Sequence, residues 1–203
     1  MAKLIHIVGS SGSGKTTVHS RINQHLHQND YEVIELIEPG PLREIALQYR
    51  IREDKDALIE AAIFSSDRFI TYHRLVFPRI DENNLIFSFA RGLPDTYVYQ
   101  GFLGGVDLDL IRKMNIYIPH SDIYIALIVD GKVGHQRIVE RHEQGGDTPS
   151  RNEMPDRINM ISGYYRRLED YFRNYHVLDT TSMTREEVFD ECIKKIERTL
   201  RKL

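Results

Sequence analysis

Apolar positions along the 203-residue chain alternate between two kinds of run. Short runs at residues 4–8, 31–37, 84–89, 123–129 and 175–178, bounded by turn residues, predict β-strands. Longer amphipathic stretches between them predict helices over residues 15–29, 42–51, 56 to about 75, 107–115, 131–142, 154–173 and 184 to the end. In the sixth of these, Ile158, Ile161, Tyr164, Tyr165 and Leu168 recur at three- and four-residue steps, which makes one stripe facing the core. Strands alternating with helices predict an α/β fold: a five-stranded parallel sheet with helices on both faces, three layers in all. With no internal repeat, low-complexity tract or long linker, residues 1–203 are expected to form a single domain.

The first predicted strand runs directly into GSSGSGKTT, residues 9–17. The spacing Gly9-x4-Gly14-Lys15-Thr16 is that of a phosphate-binding loop and specifies a P-loop NTPase fold. Small residues at Gly9, Ser10, Ser11, Gly12, Ser13 and Gly14 let successive backbone N–H groups turn inward around a nucleotide β-phosphate. Lys15 would reach the β- and γ-phosphates, Thr16 would offer a hydroxyl to Mg²⁺, and the helix opening through Thr17 would add its positive end.

One polar interruption, EQGGDTPSRNE at residues 143–153, reads either as an ordinary surface loop or as a lid over about residues 141–153. For the lid speak Gly145-Gly146 as a hinge and the nearby Arg137, Arg141 and Arg151.

Composition narrows the ligand. A net charge of −3 argues against a nucleic-acid binder, which needs clustered Lys and Arg, so a free small-molecule nucleotide is expected instead. The apolar start is too short for a secretory segment and leads straight into the loop, so a cytoplasmic protein without a membrane partner is expected. Cys192 is the single cysteine; it excludes an internal disulfide and reads as packing. His25, His27, His135 and His142 show no metal-type pairing and suit surface or capping roles.

Four further stretches sharpen the reading: IEPG at 37–40, IFSSDRF at 63–69, YVYQG at 97–101 and SDIYIALIVDGKVGHQRIVER at 121–141. In their order and spacing behind the loop, they make the chain resemble the thymidylate kinase family of nucleoside monophosphate kinases, nearly end to end. The resemblance implies transfer of the ATP γ-phosphoryl group to dTMP or a related pyrimidine monophosphate, with Mg²⁺ as cofactor and a homodimer as the assembly. It places Phe64 against the base and Arg68 on a base oxygen; as i and i+4 residues they share a helix face. It also places Gln100 on the base edge, Glu38 and Arg91 at the acceptor, and Ser11 near the sugar hydroxyl. Lys15, Arg91 and a lid arginine, Arg141 or Arg151 with Arg137 as a third candidate, would neutralise charge on the transferring group. From the residues alone, Phe64 reads equally as core and Arg68 as an ion-pair partner of Asp67 or Glu60.

Three departures stand out. Ser11 replaces the usual acidic residue of the loop, so its bond to a hydroxyl lacks charge assistance, which roughly doubles such a bond's strength. Ile37 stands where many members have arginine, with Arg43 nearby. Ala90-Arg91-Gly92 keeps the arginine of the third strand's end but not the carboxylate before it, and Asp95 and Glu38 are candidates to replace it that the sequence does not place. These departures leave open a same-fold kinase with a different acceptor, or a nucleotide-binding module with weakened catalysis that works through partners.

Overall fold

The computed structural model describes residues 1–145 and 148–201. Strands β1 (Lys3–Gly9), β2 (Glu32–Ile37), β3 (Leu85–Ala90), β4 (Ile123–Ile128) and β5 (Tyr175–Asp179) form one sheet in the order β2-β3-β1-β4-β5. Every pairing is parallel. The helices are α1 (Lys15–Gln28), α2 (Arg43–Arg50), α3 (Ala57–Thr71), α4 (Leu93–Thr96), α5 (Leu108–Met114), α6 (Gly131–Glu143), α7 (Pro155–Arg167) and α8 (Arg185–Leu200). No described helix is long and apolar enough to cross a membrane.

The period of two along each central strand explains the layers. In β4, Ile123, Ile125 and Leu127 point to one face, where Ile22 and Leu26 of α1 and Cys192 and Ile196 of α8 cover them. Tyr124, Ala126 and Ile128 point to the other, against Ile161 and Tyr165 of α7 and Ile111 of α5. Both sides are buried, which is why these strands read as continuous apolar runs. Cys192 is packing, as its solitude suggested; burial pushes its thiol up to about 12.

The predicted α7 stripe is core at Ile158, Ile161, Tyr165 and Leu168, whereas Tyr164 is only partly covered. Three elements depart from the pattern. The helix expected to about residue 75 is regular only to Thr71 and widens into a π-helical turn over Tyr72–Val76. The one expected to residue 173 ends at Arg167, followed by a tight turn over Leu168–Asp170. The periodic pattern does not forecast α4, which continues as a π-helical turn over Tyr97–Phe102, because so short a helix carries too little periodicity to register.

With β1 central and its two neighbours drawn from different parts of the chain, the carboxyl ends of β1, β2 and β3 open onto one crevice. That is the usual ligand position in an open α/β sheet.

Two histidines are buried near this crevice. His6 of β1 stacks on Phe89 at 4.2 Å, with Nδ1 2.7 Å from Ser121 Oγ. His19 of α1 has Nε2 3.0 Å from Ser88 Oγ. Burial, reinforced by Arg68, holds His6 well below the usual imidazole range, and burial also lowers His19. The unfolded chain therefore takes up protons at these rings near pH ~6.5 while the folded chain does not, so stability falls as pH drops through that value. We expect each ring to contribute up to about 1.4 kcal/mol per pH unit below that point. Urea unfolding of wild type, His6→Gln and His19→Gln at pH 7.5 and 5.5 measures this, and each variant should show the shallower pH dependence.

Candidate active site

β1 delivers the chain into a loop whose glycines are dictated by contact. A Cβ on Gly9 would lie 1.9 Å from Leu127 O and one on Gly12 2.4 Å from Gly134 O, and both have positive φ, 137° and 75°. No side chain fits at either position without moving backbone. Ser10 is pinned between layers: its N–H donates to Leu127 O at 3.0 Å and its hydroxyl accepts from Ser162 Oγ at 3.0 Å. Gly14 precedes α1 and has no side chain to cap it, so the N–H groups of Lys15, Thr16 and Thr17 open the helix without intrahelical acceptors. A cavity of about 530 Å³ lies over them, bordered by Ser11, Gly12, Arg137 and Arg141. Unpaired N–H groups at the positive end of a helix, beneath a cavity, suit phosphate oxygens.

Lys15 is half-buried and folds back over the loop, its Nζ donating to Ser10 O at 2.6 Å. Burial, and then repulsion by Arg91, push its pKa down to about 7; Asp95 and Glu153 pull the other way, while Arg141 adds to the repulsion. Near that pH only part of the population carries the charge, and an anion beside the ammonium would favour the charged form.

A second cavity, of about 330 Å³, opens at the ends of β2 and β3 and is bordered by Glu38, Arg43, Phe64, Asp95, Tyr99 and Gln100. Lys15, Thr16 and Arg91 border both cavities. Arg91 follows β3 with φ 77°, a conformation unusual for a residue with a side chain, and is tied by its N–H to Ile7 O at 3.1 Å.

The walls of the second cavity hang on α3. Arg68 is 1% exposed, and each of its guanidinium nitrogens is engaged. Nε and Nη2 donate to Glu38 at 2.9 and 2.7 Å, Nη2 also to Thr96 Oγ1 at 3.1 Å, and Nη1 to Asn115 Oδ1 at 2.7 Å. Burial lifts the Glu38 carboxyl above the ordinary range, with Arg68 pulling against the rise. Next to Arg68, Asp67 accepts from the N–H groups of Gly40 at 2.8 Å and Leu42 at 2.7 Å. Neither Asp67 nor Glu60 is the ion-pair partner of Arg68, as the residues alone had suggested; Glu38 is. Glu60 instead accepts from Gln100 Nε2 at 3.2 Å. A carboxylate can only accept, so the amide nitrogen of Gln100 faces it and the carbonyl oxygen is left for the cavity. Phe64, 7% exposed, lines the same cavity with the Arg50 guanidinium 5.7 Å from its ring centre.

The expected residues therefore divide. Phe64, Glu38, Arg68, Arg91 and Gln100 converge on one cavity, and the loop from Ser11 to Thr17 on the other. Ser11 borders the loop cavity and not the one that holds Phe64. Of the arginines near the interruption, Arg137 donates to Gly12 O at 3.3 Å and to Thr180 O at 3.0 Å, and Arg141 lies 3.8 Å from Glu153. Arg151 is exposed in the short turn Arg151–Glu153 and borders neither cavity. Residues 141–143 belong to α6; Gly145 has φ 94°, and Gly146, the other half of the expected hinge, lies outside the described residues. Arg43 is indeed at the second cavity, and with it come Leu47 and Arg50, which the sequence reading missed. The signal was there: positions i, i+4 and i+7 of one short helix share a face. Tyr99, beside Gln100 on the π-helical turn, carried no such signal.

The sequence model of the thymidylate kinase family matches residues 7–192. A thymidylate kinase of Staphylococcus haemolyticus is 25% identical over 190 residues, spanning 89% of this chain and 91% of the relative. One from Clostridium novyi is 27% identical over 198 residues, spanning 92% and 94%. Among solved structures, a thymidylate kinase from Ehrlichia chaffeensis shares the fold with a TM-score of 0.70 at 22% identity, covering 97% of this chain and 98% of its own.

The buried pair can be tested for its weight. Glu38→Ala leaves the Arg68 guanidinium without its carboxylate, and we expect a loss of about 3–5 kcal/mol in stability. Urea denaturation at pH 7.5 measures it, and Asp67→Asn, which keeps an acceptor for Gly40 or Leu42, should cost less.

Proposed function

The chain belongs to the thymidylate kinase family, and from that premise we propose that it transfers the γ-phosphoryl group of ATP to dTMP. Membership implies a nucleoside monophosphate kinase; the choice of ATP, Mg²⁺ and dTMP is our reading of this site. One observation carries it: two cavities, one over a phosphate-binding loop and one walled by an aromatic ring and an amide, meet at Lys15, Thr16 and Arg91.

In this reading the donor's β- and γ-phosphates lie on the N–H groups of Lys15 to Thr17, and Lys15 leaves Ser10 O to bridge them. The acceptor's base rests on Phe64, with an imide N–H donated to the Gln100 carbonyl. Its phosphate is directed at the junction by Arg91, and Arg43 fills the place that Ile37 leaves without charge. An oxygen of that phosphate attacks the γ-phosphorus in line as the bond to the β-phosphate oxygen breaks, and catalysis rests on position and on cationic charge around the moving group. Lys15, Arg91 and Arg141 supply that charge.

Among the described residues no group of three His, Cys, Asp or Glu side chains could hold a metal by itself. The donor set suits Mg²⁺ carried on the nucleotide's phosphates, with the Thr16 hydroxyl as a protein oxygen. When bound, the ion adds positive charge at the phosphate oxygens.

A coupled assay with ATP, Mg²⁺ and a panel of nucleoside monophosphates tests the proposal. We expect turnover with dTMP, and a loss of at least about a thousandfold in Lys15→Ala, in line with removal of a principal transition-state cation. Robust turnover of another monophosphate with none of dTMP would overturn the acceptor, and nucleotide binding without any turnover would overturn the kinase reading.

The lowered pKa of Lys15 gives a second prediction. Below about 7 the free protein already carries the charge; above it, binding must recruit a proton. ADP affinity should therefore weaken as pH rises through about 7, by up to about tenfold per unit, with net proton uptake. Calorimetry in buffers of different ionisation enthalpy measures this. Comparison with Lys15→Arg, whose guanidinium stays charged, cancels the nucleotide's own titration.

A further inference from the structure

Glu60 borders neither cavity, yet it bonds to a side chain that borders the second. It lies in the first turn of α3 with its side chain 15% exposed. Its Oε2 accepts from Gln100 Nε2 at 3.2 Å, and its Oε1 is 4.0 Å from Arg50 Nε. Glu60, Phe64 and Arg68 follow at four-residue steps, so one face of α3 carries the carboxylate beside Gln100, the cavity's aromatic ring and the buried guanidinium.

The backbone around Gln100 is tied down. The Leu103 N–H donates to Val98 O at 3.0 Å, the Gly105 N–H to Gly101 O at 2.7 Å and the Val106 N–H to Gln100 O at 3.0 Å, and the residue is 4% exposed. The amide at the end of the side chain is a different matter. Half a turn about its last bond exchanges oxygen and nitrogen with almost no change of shape, so packing does not choose between the two orientations and a hydrogen-bond partner must. Glu60 is that partner, and a carboxylate only accepts.

The choice matters to a pyrimidine. Thymine and uracil present a ring N–H between two carbonyls, whereas cytosine presents a ring nitrogen with a lone pair at the same place. An oxygen facing the cavity pairs with the first and opposes the second; an NH₂ group would reverse the preference.

We propose that Glu60 is a positioning residue that sets base selection. By holding the Gln100 amide nitrogen it keeps an oxygen toward the cavity, and so selects monophosphates whose base carries an imide N–H over those of cytosine. The inference deepens the reading of the second cavity as the acceptor's and rests on it; the hydrogen bond between Glu60 and Gln100 does not.

Calorimetric titration of dTMP, dUMP and dCMP into wild type and Glu60→Gln tests this without requiring turnover. The substituted amide fits the same space but donates as well as accepts, so the Gln100 amide is no longer confined to one orientation. We expect the preference for dTMP over dCMP to fall about tenfold, the scale of one mispaired hydrogen bond, while the ratio of dTMP to dUMP stays unchanged because both bases carry the imide. A merely structural role would weaken all three alike. Glu60→Ala, which leaves the amide without a partner, should lower the preference similarly and serves should the first variant fold poorly. Reversing the pair, Glu60→Gln together with Gln100→Glu, puts an acceptor-only group at position 100 and should bring the preference back toward the wild-type value. An unchanged preference in folded Glu60→Gln or Glu60→Ala protein, or a parallel loss for all three nucleotides, would overturn the proposal. A wild-type protein that binds none of the three would overturn the acceptor reading and this proposal with it, so the protein that fails tells the two apart.

Discussion

A guanidinium taken out of water must be matched atom for atom, because an unpaired buried charge costs several kcal/mol. Arg68, carried on α3, meets that demand with residues from three separate parts of the chain: Glu38 after β2, Thr96 in α4 and Asn115 after α5. The second cavity exists because of this knot. Glu38 is drawn inward, Asp67 holds the following turn by two backbone N–H groups, and α2 starts where its arginines border the opening. Such a pair is not a large net source of stability; it sets which segments lie together and excludes other arrangements.

The same demand shapes what the pair can do for a ligand. An arginine fully engaged with protein acts on a bound base mainly by fixing its surroundings, whereas Phe64 and Gln100 keep a ring face and a carbonyl oxygen for contact. Arg43 and Arg91 are exposed and border the cavity, so in the proposed reading they are the cations left for an acceptor phosphate. The division is one of burial: the cation that builds the wall is inside, and those that meet anions face the cavity. Close by, the loop cavity is built mostly from backbone. Gly9 and Gly12 let the loop pass Leu127 and Gly134 at distances no side chain permits, and the positive end of α1 does the rest.

Lys15 links the two halves. It borders both cavities, rests on Ser10 O, and is held near the point of losing its proton by burial and by Arg91. A phosphate would supply the opposite charge that favours the protonated lysine and competes with Ser10 O for it, which ties the proposed nucleotide binding to the chemistry of one side chain.

Resemblance to a family, and not spacing, pointed to Phe64, Arg68 and Gln100 at the second cavity; the sequence by itself determined the parallel sheet, most of the helices, and the loop and its glycines. Each of these rests on neighbours along the chain: strand alternation, helical spacing, or the fixed interval from Gly9 to Thr16. The tertiary structure decided what no interval along the chain encodes. It chose Glu38, thirty residues from Arg68, over the closer Asp67 and Glu60. It put Arg137 on the Gly12 and Thr180 carbonyls and Arg141 at the loop cavity, and left Arg151 outside both cavities. It also turned residues 93–102 into a helical wall that brings Asp95 under Tyr165. These outcomes depend on how layers stack and which polar groups are thereby cut off from water. A buried charge takes the partner that packing brings within reach, and that partner is set by the fold as a whole.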